Sequence, residues 1–184
     1  MSYVAVCDYG AGNTRSVIAS VGRLGVDVTL TASPEVVVEA SLVILPGVGS
    51  ARSAMQALRE SGLDLALRQR VREDRPVLGI CLGLQLALEW SDEDGGVACL
   101  GLLPGRATRL SRGRVPRMGW ALVEPWLEAF YFAHSFAAET ESAVATSDGI
   151  VAAASRGSFL GVQFHPEKSG PAGRRFLARC LTRD

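Results

Sequence analysis

The 184-residue sequence predicts an α/β protein built on an open, mostly parallel sheet with helices on both faces and antiparallel additions in its C-terminal half. Three observations carry that expectation. Up to Trp90, short β-rich runs alternate with helical patterns, which implies parallel strands joined by crossover helices. Glycine-rich turns follow the first and third of those runs, and two glycines bracket the junction after the fourth. Beyond the turn-rich break Ser91-Asp-Glu-Asp-Gly95-Gly96, the alternation gives way to closely spaced strands. With 48% hydrophobic and 21% charged residues, the chain has the composition of one soluble domain with a substantial core spanning 1–184.

The elements follow in order. Tyr3–Cys7 reads as a strand, 13–24 as a helix, 26–31 as a strand and Leu42–Leu45 as a buried strand. Residues 51–60 and 63–73 read as helical, the second ended by Pro76. The apolar run Val77–Ile80 is a strand, and 84–90 a helix. Further strands fall near 106–110, 118–123, 129–133, 142–146 and 159–164. A helix over 171–181 closes the chain with Arg174, Arg175 and Arg179 on a solvated face. The whole corresponds to a flavodoxin-like sheet, in which ligands bind beyond the carboxyl ends of the strands.

Charge and cysteine content exclude several functions. Nineteen basic and nineteen acidic residues cancel, so no global field recruits nucleic acid or an anionic membrane. Cys7, Cys81, Cys99 and Cys180 are dispersed, with no metal-ligand spacing and no disulfide framework. A reducing cytoplasm is the expected setting, with no metal and no cofactor. The N-terminal stretch lacks the pattern of a targeting segment, and no apolar run is long enough to span a bilayer.

Cys81 carries the chemistry. In Pro76-Val-Leu-Gly-Ile-Cys81-Leu-Gly83-Leu-Gln85 a strand meets a helix through a tight turn with a thiol at its tip, and Gly79 and Gly83 allow the two backbones to approach. Unpaired N–H groups at a helix start favour the thiolate, the reactive form. Alone, such a cysteine reads as a small buried hydrophobe. It is accompanied by Gly161-Val-Gln-Phe164-His165-Pro166-Glu167-Lys168, which holds one of only two histidines. Pro166 biases His165 toward extended backbone, which would put His165 and Glu167 on one side. A thiol, an imidazole and an orienting carboxylate are the parts that nucleophilic acyl transfer needs.

Two glycine loops invite a nucleotide reading and fail it. Gly10-Ala-Gly12-Asn13-Thr has Arg15 where a dinucleotide fingerprint has its third glycine. Pro46-Gly47-Val48-Gly49-Ser50 lacks the lysine and the length of a phosphate loop. The backbone N–H groups of this loop are instead candidates, with that of Leu82, for holding an oxyanion beside Cys81.

In this order, Asp8-Tyr9-Gly10-Ala-Gly12-Asn13, Pro46-Gly47-Val48-Gly49, Gly79-Ile-Cys81-Leu-Gly83-Leu-Gln85, Val115-Pro-Arg-Met118-Gly119-Trp120, Tyr131-Phe-Ala-His134-Ser135 and 161–169 resemble the class I (triad) glutamine amidotransferases. More narrowly, they resemble the glutaminase subunits of imidazole glycerol phosphate synthases. The resemblance implies that Cys81 attacks the side-chain amide of glutamine, that the loop N–H groups holding the oxyanion are those of Val48 and Gly49, that His165 protonates the departing ammonia, and that Glu167 orients His165. It implies substrate contacts from Gly47, Gln85, Tyr131, His134, Ser135 and Phe136. It also implies a separate (β/α)₈ cyclase subunit as heterodimeric partner, which uses the ammonia in histidine biosynthesis to make imidazole glycerol phosphate and an aminoimidazole carboxamide ribonucleotide; Asn13, Trp120 and Lys168 match positions near that interface. Trp120 also has a secondary reading as a core aromatic. The chain departs from the family at Ala121, where Asn usually follows Met-Gly-Trp, at Phe136, where Tyr usually follows His-Ser, and in a shorter stretch from Trp120 to Tyr131.

Overall fold

A computed structural model describes residues 3–10 and 13–182. The first half runs β1 (Tyr3–Cys7), α1 (Thr14–Gly22), β2 (Asp27–Thr31), α2 (Pro34–Glu39), β3 (Leu42–Leu45), α3 (Ala51–Ser61), α4 (Leu63–Arg72), β4 (Val77–Ile80) and α5 (Leu82–Ala87). The second runs β5 (Trp90–Ser91), β6 (Val97–Ala98), β7 (Arg106–Arg109), β8 (Arg117–Val123), β9 (Glu128–His134), β10 (Phe136–Glu139), β11 (Ala143–Ser147), β12 (Ile150–Arg156), β13 (Phe159–Val162) and α6 (Gly170–Leu181).

A seven-stranded sheet in the order β11-β12-β13-β4-β3-β1-β2 forms the centre. Its β13-β4-β3-β1-β2 portion is parallel, and β12 and β11 extend it antiparallel, the mixed sheet that the sequence predicts. Alternate residues of the inner strands feed two cores. Ala5, Cys7, Val43 and Leu45 face the side covered by α2, α3, α4 and α5, whereas Val4, Val6, Leu42 and Ile44 face the side of α1, α6 and the β8–β9 hairpin. A strand buried on both faces cannot alternate polar and apolar residues, which is why these runs are continuously apolar. On the second side, Phe130 and Phe164 stack at 4.0 Å between ring centroids, with Trp126 and Phe176 around them. A smaller sheet, β10-β7-β5-β6, packs beside α5.

The structure corrects the sequence reading in three places. The helix expected over 84–90 starts at Leu82 and ends at Ala87, and Trp90 opens β5. Its last carbonyls are taken by a crossing segment: Leu100 N donates to Leu86 O at 2.8 Å, Leu102 N to Ala87 O and Gly101 N to Leu88 O, each also at 2.8 Å. Helix α2 had no counterpart in the sequence reading, because Val36-Val37-Val38 carries strand propensity. Ser33 caps it through Val36 N at 3.3 Å and Pro34 opens it. The fully buried Arg70 closes it, its Nη1 donating to the carbonyls of Val37, Val38 and Ala40. Strands β10 and β12 were also unforeseen; Ala152-Ala153-Ala154 is weak strand sequence, and pairing with β11 and β13 overrides it.

The topology fixes the site. Strand β4 lies between β3 and β13, with Leu45 in register with Gly79 and Val162 with Ile80. All three run parallel, so the chain leaves them side by side. The 46–49 loop, Cys81 and the Gln163–His165 segment therefore meet at one edge.

Candidate active site

Cys81 sits at φ 53° and ψ −105°, a backbone conformation that residues with a Cβ rarely adopt. Strain of this kind costs on the order of 1–3 kcal/mol and persists only where the surroundings enforce it. Here Cys81 N donates to Val162 O at 2.7 Å, and Cys81 O accepts from Leu84 N at 3.1 Å, so strand and helix hold the turn from both sides. Two glycines make the packing possible. A Cβ on Gly83 would lie 2.0 Å from Leu45 O, and one on Gly47 would lie 2.4 Å from the Leu82 Cβ.

The Cys81 sulfur is surrounded by polar groups. Gln163 Nε2 donates to it from 3.6 Å, Ala133 O lies 3.8 Å away, and the His165 imidazole is near enough to feel its charge. His165 is buried, and its Nδ1 lies 2.8 Å from Glu167 Oε1. The sequence reading placed these two on one side of an extended segment. Only His165 is extended; Pro166–Lys168 form a single 3₁₀ turn that swings the carboxylate back to the ring. Burial lowers the His165 pKa, but hydrogen bonds and charge from Cys81 and Glu167 outweigh it and hold the imidazole up at about 9. Asn13 Nδ2 donates to the same Glu167 oxygen at 2.7 Å, while Glu167 Oε2 is buried without a protein partner.

A cavity of about 270 Å³ opens onto the sulfur. Its walls include Gly47, Val48, Gly49, Leu82 and Gln85, and His134, Ser135 and Phe136 close the far side. Tyr131 is not among its lining residues; it packs edge-on against Trp120 at 6.2 Å, and its carbonyl accepts from His165 N. The second histidine behaves differently from the first. His134 Nδ1 bonds Phe136 O at 2.9 Å, and burial, with the nearby cations Arg117 and His165, pushes its pKa down to about 4. Its Nε2 is buried without a protein partner.

Of the residues that line the cavity or touch the sulfur, the sequence reading assigns no site role to Glu93, Gln163, Pro116, Met118 or Ala133, and the first two bear polar groups. Glu93 lies on the cavity wall, accepts from Ala51 N at 2.7 Å at the start of α3, and has its pKa raised chiefly by burial. Its sequence context is a turn, and nothing local in residues 91–96 points it inward. Gln163 sits amid apolar residues in the motif around His165, and its contact with sulfur exists only across two strands.

Of the remaining predicted residues, Asn13 bonds Glu167 and Lys168 follows it, while Trp120 lies on β8 opposite Tyr131. Trp120 is 59% exposed, which decides against the core reading, and Met118 and Leu122 flank it on the outward face of β8 at 65% and 48%. Lys168 is exposed, one residue beyond Glu167. A larger cavity of about 760 Å³, between Trp126, Phe176 and Cys180, contains none of the predicted site residues. Among the described residues no group of three His, Cys, Asp or Glu side chains is placed to hold a metal ion, and no helix is long and apolar enough to cross a membrane.

Comparison with known proteins adds to this geometry. Residues 5–122 match the family model described as glutamine amidotransferase class-I. The chain is 42% identical to the imidazole glycerol phosphate synthase subunit HisH of Carboxydothermus hydrogenoformans, over 94% of this chain and 95% of that protein. It is 43% identical to the subunit of the same name from Moorella thermoacetica, over 96% and 93%. Among solved structures, a glutamine amidotransferase superposes with a TM-score of 0.82 at 21% identity, covering 98% of this chain and 99% of that one. PurLQS from Thermotoga maritima gives 0.77 at 17%, covering 98% and 97%; these two likenesses concern the fold.

Proposed function

The chain belongs to the class-I glutamine amidotransferases, among the imidazole glycerol phosphate synthase HisH subunits, and from that membership we propose that Cys81, His165 and Glu167 are the triad that hydrolyses glutamine. The observation that carries the assignment is the convergence at one sheet edge of a thiol in a strained turn, an imidazole electrostatically coupled to it, and a carboxylate 2.8 Å from the imidazole nitrogen.

The Cys81 thiolate attacks the side-chain amide carbon of glutamine and forms the C–S bond. The carbonyl oxygen becomes an oxyanion, for which the backbone N–H groups of Val48, Gly49 and Leu82 are the donors beside the sulfur. His165, charged at neutral pH, gives its proton to the leaving nitrogen, and ammonia departs as the C–N bond breaks. Glu167 orients the ring and stabilises its charge, as in other nucleophile–base–acid sets. Water then attacks the γ-glutamyl thioester while neutral His165 takes its proton; the C–S bond breaks and glutamate leaves.

The wall residues suit an amino acid. Both amide hydrogens of Gln85 are committed, to Phe136 O at 2.8 Å and to Gln163 Oε1 at 3.1 Å, so it offers substrate only an acceptor oxygen. That acceptor and the Glu93 carboxylate fit the α-ammonium group, and the Ser135–Phe136 backbone supplies the opposite wall. Residues 1–184 act as one amidotransferase domain.

Free ammonia would be protonated in water, so the product needs a protected route. A cyclase subunit docked over Asn13, Trp120 and Lys168 provides it in this reading, forming a cytoplasmic heterodimer of histidine biosynthesis. The exposed Met118, Trp120 and Leu122 on one face of β8, with Met118 at the wall of the Cys81 cavity, support that docking face. The chemistry is tested by rapid-quench mass spectrometry with glutamine. A γ-glutamyl adduct on the Cys81 peptide, absent from Cys81→Ala, is expected; an adduct on another residue, or hydrolysis retained by Cys81→Ala, would overturn the triad.

A further inference from the structure

Four groups form a chain whose hydrogen-bond polarity is set at one end. Phe136 O can only accept, and Gln85 lies 2.8 Å from it, so the Gln85 amide nitrogen must face that carbonyl. The second hydrogen of the same amide points 3.1 Å away at Gln163, which must therefore present its oxygen there. Gln163 has no freedom left: its nitrogen faces the Cys81 sulfur, 3.6 Å away, and the side chain is fully buried. The amide is used at both ends, its oxygen accepting from Gln85 and its nitrogen donating to the sulfur, and only a primary amide supplies both at this position.

We infer that Gln163 is a further catalytic residue, whose amide N–H stabilises the Cys81 thiolate, and that Gln85 and the Phe136 carbonyl are the groups that hold it in that orientation. The inference rests on Cys81 being the nucleophile. A neutral donor suits both half-reactions. It stabilises the negative sulfur before attack without adding a second positive charge beside His165. When water expels the thiol from the thioester, the electron pair of the breaking C–S bond returns to sulfur, and the same N–H receives that charge. Because Phe136 lines the cavity and its carbonyl also bonds His134, the chain ties the substrate wall to the nucleophile.

The test is the rate of Cys81 alkylation by iodoacetamide as a function of pH, read by mass spectrometry of the Cys81 peptide in the full chain. Cys7, Cys99 and Cys180 are buried, as Cys81 is, so each cysteine peptide is followed separately and only the Cys81 profile is compared between variants. Gln163→Met keeps the length and removes the donor. Its half-maximal pH should rise by about one unit, with glutamine turnover down about tenfold, as expected for losing one hydrogen bond to a charged group. Gln163→Glu is isosteric and puts a carboxylate at the sulfur, so its half-maximal pH should rise further. Gln85→Leu, which leaves Gln163 in place but free to rotate, should give a smaller rise and decides the matter if Gln163→Met does not fold. An unchanged half-maximal pH in Gln163→Met, or in Gln85→Leu if the other does not fold, would overturn the role given to Gln163. So would a Gln163→Glu profile no different from that of Gln163→Met. Absence of selective Cys81 alkylation in the unaltered chain would instead overturn the nucleophile itself.

Discussion

The segments ending in His134 and His165 both bring a buried imidazole to the same site, yet their titrations are driven in opposite directions. His165 follows the central strand β13 and meets a thiol and a carboxylate, which hold its pKa up at about 9. His134 ends β9 in the hairpin, where burial, reinforced by Arg117 and the other histidine and only partly offset by the bond to Phe136 O, leaves it neutral with a pKa pushed down to about 4. Burial is common to both. The sign of the neighbours decides which one carries a proton at neutral pH, and only the charged one can serve as acid to a leaving amine.

Substitution at the two positions should therefore separate widely. His165→Asn should lower glutamine turnover by about 10³-fold or more, the scale seen when the base of a nucleophilic triad is removed. His134→Asn, which keeps a donor toward Phe136 O, should cost no more than about tenfold, and equal losses at both positions would break the distinction. Glu167→Gln comes next, with turnover falling by about 10²–10⁴-fold as the imidazole loses its charge partner. The same variant should bring the His165 titration down from about 9, which NMR of the two histidines can follow directly. Asn13→Ala removes one donor from Glu167 Oε1 and should change turnover only a few-fold, with the His165 titration shifted slightly.

Stability should carry the same opposition. His165 binds its proton more tightly folded than unfolded, so its contribution is full below its ordinary value of 6.5 and is lost as pH rises through about 9. For His134 the unfolded chain is the better proton acceptor, so its contribution is full above 6.5 and is lost as pH falls through about 4. Denaturant unfolding across this range should show a maximum near the ordinary histidine value. His134→Asn should flatten the acid limb, and a limb that stays unchanged would show that this histidine is not held neutral by the fold.

What the sequence disclosed follows the same division between local and distant structure. The parallel strands and the Cys81 turn were legible because apolar runs, glycines and Pro166 mark them within a few residues. Helix α2 was hidden because its ending is made by Arg70, more than thirty positions away. Gln163 and Glu93 were missed for a related reason: one reaches Cys81 from a neighbouring strand and the other reaches Ala51 from a turn, so neither leaves a periodic trace. Tyr131 shows the converse: the resemblance implies a substrate contact, while its ring packs against Trp120 across the β8–β9 pair.

The central claim is that this triad is a glutaminase coupled to a cyclase. Its most direct test is glutamate release from glutamine by the purified chain, alone and then with the cyclase subunit and its ribonucleotide substrate. Low release alone that rises sharply in the mixture, and vanishes in Cys81→Ala, is the predicted result. Release that is already high alone and indifferent to the cyclase would contradict the coupling, and no release under either condition would contradict the glutaminase itself.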